Sequence, residues 1–180
     1  MDIVDLIQDK RFLGQEFLAW LWFKSEERGG SVELPGTGDV TVIFEKHMLL
    51  EYGEGESNEK VICRGLQTEL REAKTGLALG KKPEQARIMF IKGDYEFGVT
   101  LAAALLEFRN VKLPKTVDSA DESDDPEAVE GRILERVALF EELNNLVNDL
   151  FRVFLKIRVG EQWSSELIKI QQWSALGIDS

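Results

Sequence analysis

Large apolar residues crowd into one early stretch of the chain. Within FLGQEFLAWLWF, which begins at Phe12, stand two of the four tryptophans and three of the ten phenylalanines. Leu6, Phe12 or Leu13, Phe17, Leu18 and Leu21 recur near helical spacing, and Glu26, Glu27 and Arg28 follow as a polar end. That pattern predicts a helix over 5–28. Gly29-Gly30 stops it, because glycine accepts the left-handed conformation that closes a helix. Each buried aromatic removes about 150–250 Å² from water. This helix is therefore the predicted keystone of the core, with Phe17, Leu21 and Trp20 or Trp22 facing inward. Gly14 lies inside it at a cost of about 1 kcal/mol against alanine, which points to another element packed against the backbone there.

From Ser31 to Gly65 the hydrophobic period changes to two. SVEL, DVTVIFE, KHMLLEYG and EKVICRG read as three or four short antiparallel strands, separated by turns at PGTG and GEGESN. Val40, Val42 and Phe44 alternate with Thr41, Ile43 and Glu45, as a strand with one better-buried face requires. LQTELREAKTGLAL then carries Leu66, Leu70, Ala73 and Leu77 on one helical stripe, ended by Gly80-Lys81-Lys82-Pro83. ARIMFIKG and YEFGVTL form a hairpin through Lys92-Gly93-Asp94, and LEFRNVKLP is the last strand. Connections this short make a meander rather than a parallel sheet.

The second half changes character again. Residues 118–130 hold seven acids, no base and few apolar residues, the composition of a mobile linker. A long helix follows over 131–158 with two seams. One runs Leu139, Leu143, Leu146, Leu150, Val153, Ile157; the other runs Val137, Phe140, Val147, Phe151, Phe154, interrupted by Asn144. This wide apolar face either covers the sheet or leaves a seam for a dimer in which Asn144 sets the register. Gly160 breaks the helix, and Ser164 is the expected cap of a final one, with Glu166 near its start. The predicted fold class is α+β: a mostly antiparallel sheet packed by an N-terminal Trp-rich helix and long C-terminal helices. The predicted organisation is a helix-plus-sheet core over 1–117, an acidic linker over 118–130, and C-terminal helices over 131–180 that pack on the same domain or on a partner.

Composition narrows the function classes. At 180 residues the chain has room for one real core. No run approaches the roughly 18 apolar residues of a membrane span, and the acidic start MDIVDLIQDKRF is unlike a secretory signal. The single cysteine, Cys63, leaves no internal disulfide, which makes the cytoplasm the simplest compartment. The net charge of −11 argues against a surface that grips nucleic acid everywhere. One segment differs: 60–92 carries eight Lys/Arg against three acids. It reads either as a solvated face or as a contact surface for an anionic partner, with Arg71, Lys74, Lys81, Lys82 and Arg87 as the candidate contacts.

Candidate catalytic chemistry is sparse. His47 is the only histidine, and a metal site or triad needs partners that nothing in the spacing supplies. Cys63 stands between Ile62 and Arg64 in a strand pattern, the setting of a structural cysteine. The acid pairs Glu26-Glu27, Glu54/Glu56 and Glu141-Glu142 occupy solvent-type contexts, and the glycines of GTGD and GEGE match no phosphate-binding loop or dinucleotide fingerprint. The expectation is no cofactor, no metal and no enzymatic activity.

Three strings together, FLGQEFLAWLWFKSEERGGSVELPG, GDVTVIFEKHMLLEYGEGE and LREAKTGLALGKKPEQARIMFIKGDYEFGVTL, resemble the C-terminal part of the recombination-associated RdgC family, over most of 12–154. Members of that family are longer, and the resemblance does not reach the part linked to DNA-ring formation. It implies a non-enzymatic, sequence-independent protein of double-stranded DNA that forms dimers and restrains recombinase filaments, located at the nucleoid. The other reading of the residues is a structural or adaptor protein that acts through contacts of its C-terminal helices. Salt dependence separates the two, because phosphate contacts weaken steeply with salt and apolar contacts do not.

Overall fold

The computed structural model describes residues 11–36, 38–52, 59–64, 67–115 and 125–175. Helix α1 (Arg11–Glu26) ends in a short 3-10 turn over Glu27–Gly30. Gly29 and Gly30 both take positive φ, 71° and 82°, which supplies the predicted stop. Six strands follow, β1 (Ser31–Leu34), β2 (Gly38–Tyr52), β3 (Glu59–Arg64), β4 (Lys82–Lys92), β5 (Tyr95–Ala102) and β6 (Phe108–Lys112), with helix α2 (Gln67–Ala78) between β3 and β4. They form one antiparallel sheet in the order β1-β2-β4-β5-β6, with β3 also paired to β2. Two helices complete the described residues, α3 (Pro126–Val159) and α4 (Trp163–Ala175). The α+β class and the Trp-rich helix on an antiparallel sheet are as predicted.

Three details differ from the sequence reading. DVTVIFE and KHMLLEYG are one strand, not two. β2 runs through an irregularity between Phe44 and Met48 that absorbs extra residues against β4 and keeps Phe44, Met48 and Leu50 on the buried side. α3 begins at Pro126, so 126–130 of the predicted acidic linker is helical; 116–124 lies outside the described residues. Proline at the first helical position forfeits no hydrogen bond, and Glu127 in the first turn suits the helix dipole. α4 begins at Trp163, so Ser164 sits inside its first turn rather than capping it. Ser165 Oγ instead donates to the Gln162 carbonyl at 2.8 Å.

The core centres on α1. Phe17, Leu18, Trp20, Leu21, Trp22 and Phe23 are all buried, because the sheet lies on one side of the helix and α3 and α4 on the other. Phe17 meets Phe151 edge-on at 5.2 Å and Phe154 at 5.6 Å, while Trp22 meets Trp173 edge-on at 5.0 Å. Gly14 has the anticipated reason. A Cβ there would overlap the Ala103 carbonyl oxygen and lie 2.7 and 2.9 Å from its carbonyl carbon and Cα. The turn that brings Ala103 to this place holds Leu105 and Leu106 at φ of 58° and 51°, a left-handed conformation that leucine rarely adopts.

Candidate interaction surfaces

On β4 the inward residues Ala86, Ile88 and Phe90 alternate with Arg87, Met89 and Ile91, which face away from α1. Arg87 therefore lies on the side of the sheet away from α1. Its Nε donates to Glu45 Oε2 at 2.8 Å and its guanidinium also donates to the Asn110 carbonyl. It lies across Gly98, where a Cβ would come within 2.6 Å of Nη2.

Lys74 stands on the opposite, helical side. It pairs with Glu26 at the end of α1 and lies over the Trp173 ring at 4.8 Å, while Trp173 Nε1 donates to the same Glu26 oxygen at 3.0 Å. This knot ties α1, α2 and α4 together. Lys92 donates to Glu142 of α3 at 3.0 Å. Lys82 is exposed, Lys81 is half-buried, and the side chain of Arg71 lies outside the described residues. The structure thus places Lys74 and Arg87 on opposite sides of the sheet, each already opposite a carboxylate.

His47 is half-buried in β2, beside Arg64 of β3 in the register, and makes no hydrogen bond or ion pair among the described residues. Cys63 pairs with Met48 in the ladder; its side chain lies outside the described residues. Among the described residues no group of His, Cys, Asp and Glu is placed to hold a metal ion, and no helix is long and apolar enough to cross a membrane.

Two ionic clusters hold elements in place. Arg11, at the start of α1, pairs with Glu51 of β2 and Glu84 of β4, and Gln15 donates to the same Glu84 oxygen. Glu166 of α4 is buried and meets Lys24 Nζ at 2.5 Å and Lys169 at 3.4 Å. Burial alone would push the Glu166 carboxyl up. The hydrogen bond and charge of Lys24, with Lys169 behind it, outweigh burial and hold it below the ordinary carboxylate value.

α3 carries an exposed apolar stripe. From Leu139 onward it is seated in the core through Leu139, Leu143, Leu146, Val147, Leu150 and Phe154. The stretch 126–138 contains no buried residue. At about 100° per residue, Val129, Ile133, Val137 and Phe140 fall close to one line, with Leu134 to one side. All five are exposed, Ile133 by 57% and Val137 by 50%. Leu113, just past β6, closes this stripe into a shallow groove with Arg136, and Phe108 packs edge-on against Phe140 at 6.0 Å. The two-seam pattern foretold half of this: the first seam is core, and the second is core only from Val147 on. Val129, Ile133, Leu134 and Leu113 were missed, although the apolar residues of α3 ahead of its first core position, Leu139, were the available signal for the first three.

No protein-family model, curated protein or solved structure matches this chain.

Proposed function

We propose that the chain is a non-enzymatic adaptor that works by protein contact, with the first turns of α3 as its contact element. One observation carries this reading: an arm of helix, 126–138, without a single buried residue, whose exposed Val129, Ile133 and Val137 form a stripe that runs on to exposed Phe140, with Leu134 beside it. Apolar side chains grouped on a surface mark contact sites more often than they mark chance, and a stripe at helical spacing is the form that helix-to-helix recognition takes. The DNA-associated role implied by the RdgC resemblance draws less support from the geometry. A phosphate approaching Lys74, Arg87 or Lys92 competes with Glu26, Glu45 or Glu142, and the chain as a whole repels it at −11.

The test pairs two measurements. Proteins captured from a cell extract after nuclease treatment are purified and titrated back against the wild type and against Ile133→Lys/Val137→Lys. The reading expects affinity that survives a rise from about 50 to 200 mM salt and is lost in the double variant. A gel shift with random-sequence DNA runs alongside. Affinity for DNA that falls about 10³-fold or more over that range, with no effect of the double variant, overturns the adaptor reading in favour of the phosphate one.

A further inference from the structure

The arm's stripe runs between lips of opposite charge. Taking Ile133 as the centre line at about 100° per residue, Arg136 falls on one side and Glu130 and Glu141 on the other. Arg136, Glu130 and Glu141 are exposed and make no ion pair among the described residues. The Arg136 side is the side closed by Leu113, and Lys115, two residues farther on, is also exposed. The groove therefore has a basic lip and an acidic lip about 24 Å long over 129–144, at 1.5 Å per residue.

That polarity decides what fits. A second copy lying antiparallel across a two-fold axis sets each lip against its own kind, Glu130 toward Glu141 and Arg136 toward Arg136, because an isologous interface uses the same patch twice. Like charges face to face oppose association. A second copy lying parallel would match opposite lips. The same line on α3 must then stay clear beyond the arm, and it does not: Phe151, in line with Ile133 and Phe140, is covered by Phe17 of α1 at 5.2 Å. Two bodies would have to share that space.

We infer that the arm receives an amphipathic helix from a different protein, apolar on the face it presents, acidic along the flank that meets Arg136 and basic along the flank that meets Glu130 and Glu141. Such a helix spans about four turns and ends before Val147, which is buried on the stripe's side of α3. This deepens the adaptor reading and rests on it. The opposed lips exclude self-pairing and uniformly charged helices, which is specificity by repulsion as well as by fit.

The probes are three designed peptides of about four turns with the same leucine face: one with glutamates on one flank and lysines on the other, one with glutamates on both, one with lysines on both. Anisotropy at about 150 mM salt limits long-range attraction to the net charge. The expected result is a mixed-flank peptide that binds at least about tenfold tighter than either uniform one. Arg136→Glu, exposed and outside the core, should move the preference to the lysine-flanked peptide with the circular dichroism spectrum unchanged. Equal binding of all three, abolished by Ile133→Lys/Val137→Lys, overturns the charge polarity and leaves the arm as a contact element. A concentration-dependent dimer of the chain alone in sedimentation, lost in the same double variant, overturns the heterologous partner. Absence of any peptide binding overturns the inference, and the extract assay above then decides the adaptor reading separately.

Discussion

Gly14→Ala sets two physical effects of opposite sign against each other. Helix propensity favours alanine by about 1 kcal/mol. Against it stands the backbone of Ala103: a Cβ at position 14 would overlap its carbonyl oxygen and lie under 3 Å from two further atoms. Backbone yields less readily than the end of a side chain. Here the Ala103 N–H donates to the Glu84 carbonyl at 2.7 Å and the Ala102 N–H to the Glu107 carbonyl at 3.0 Å, so moving the turn strains both bonds. Overpacking of this kind costs about 3 kcal/mol at the upper end of its usual range. The net expectation is a loss of about 2 kcal/mol, which for a chain of this size lowers the melting temperature by about 4–8 °C. Gly131→Ala is the control. It lies in α3, is exposed and has nothing within 4 Å of a Cβ, so it should gain up to about 1 kcal/mol. Urea unfolding followed by tryptophan fluorescence and by circular dichroism reads both variants. A Gly14→Ala protein as stable as the wild type would refute the close-packing argument, and the keystone placement of α1 with it.

Two further outcomes follow from the core and from the α1–α4 ion pairs. Trp20→Ala empties a fully buried site against Phe17 and Phe154 and should cost about 3–5 kcal/mol in the same urea experiment; a loss below about 1 kcal/mol would show that the helix is dispensable. Glu166 has a folded pKa below its ordinary value of 4.5, so its stabilising effect is complete above the unfolded value and is lost as pH falls through the folded one. The difference in melting temperature between wild type and Glu166→Gln should therefore stay constant from pH 7 down to about 5 and shrink only below that, as pH falls past the unfolded value toward the folded one; a difference that does not change below about pH 5 would mean that the charge of Glu166 contributes nothing.

Local signals carried most of the fold. Aromatic density marked α1, Gly29-Gly30 marked its end, and the alternation of Val40, Val42 and Phe44 marked the buried face of β2. What the chain concealed depended on distant partners. Nothing local says that β2 continues past Phe44, because β4 supplies the second ladder that carries the strand through its irregularity. Acidic composition suggested a linker at 126–130, where Pro126 in fact starts a helix. Charge counting gathered Lys74 and Arg87 into one segment, but strand alternation and the docking of α2 set them on opposite sides of the sheet. The split of the α3 seams into core and arm was invisible for the same reason: Phe151 is covered because Phe17 of α1 reaches it, and the spacing between Phe140 and Phe151 does not reveal that partner.

One consequence of α3 concerns time rather than shape. A helix of the arm's length alone in water is marginal, because its first turn must be nucleated at high entropic cost. The 34-residue α3 avoids this, since its docked half is already wound and the arm only extends it. Amide exchange should therefore form a gradient along a single helix: near the global opening limit from Leu143 to Phe154, and progressively faster toward Pro126. Rewinding of the tip, at nanoseconds per residue, outpaces any diffusional encounter, so a ligand arriving at the arm meets a helix already formed.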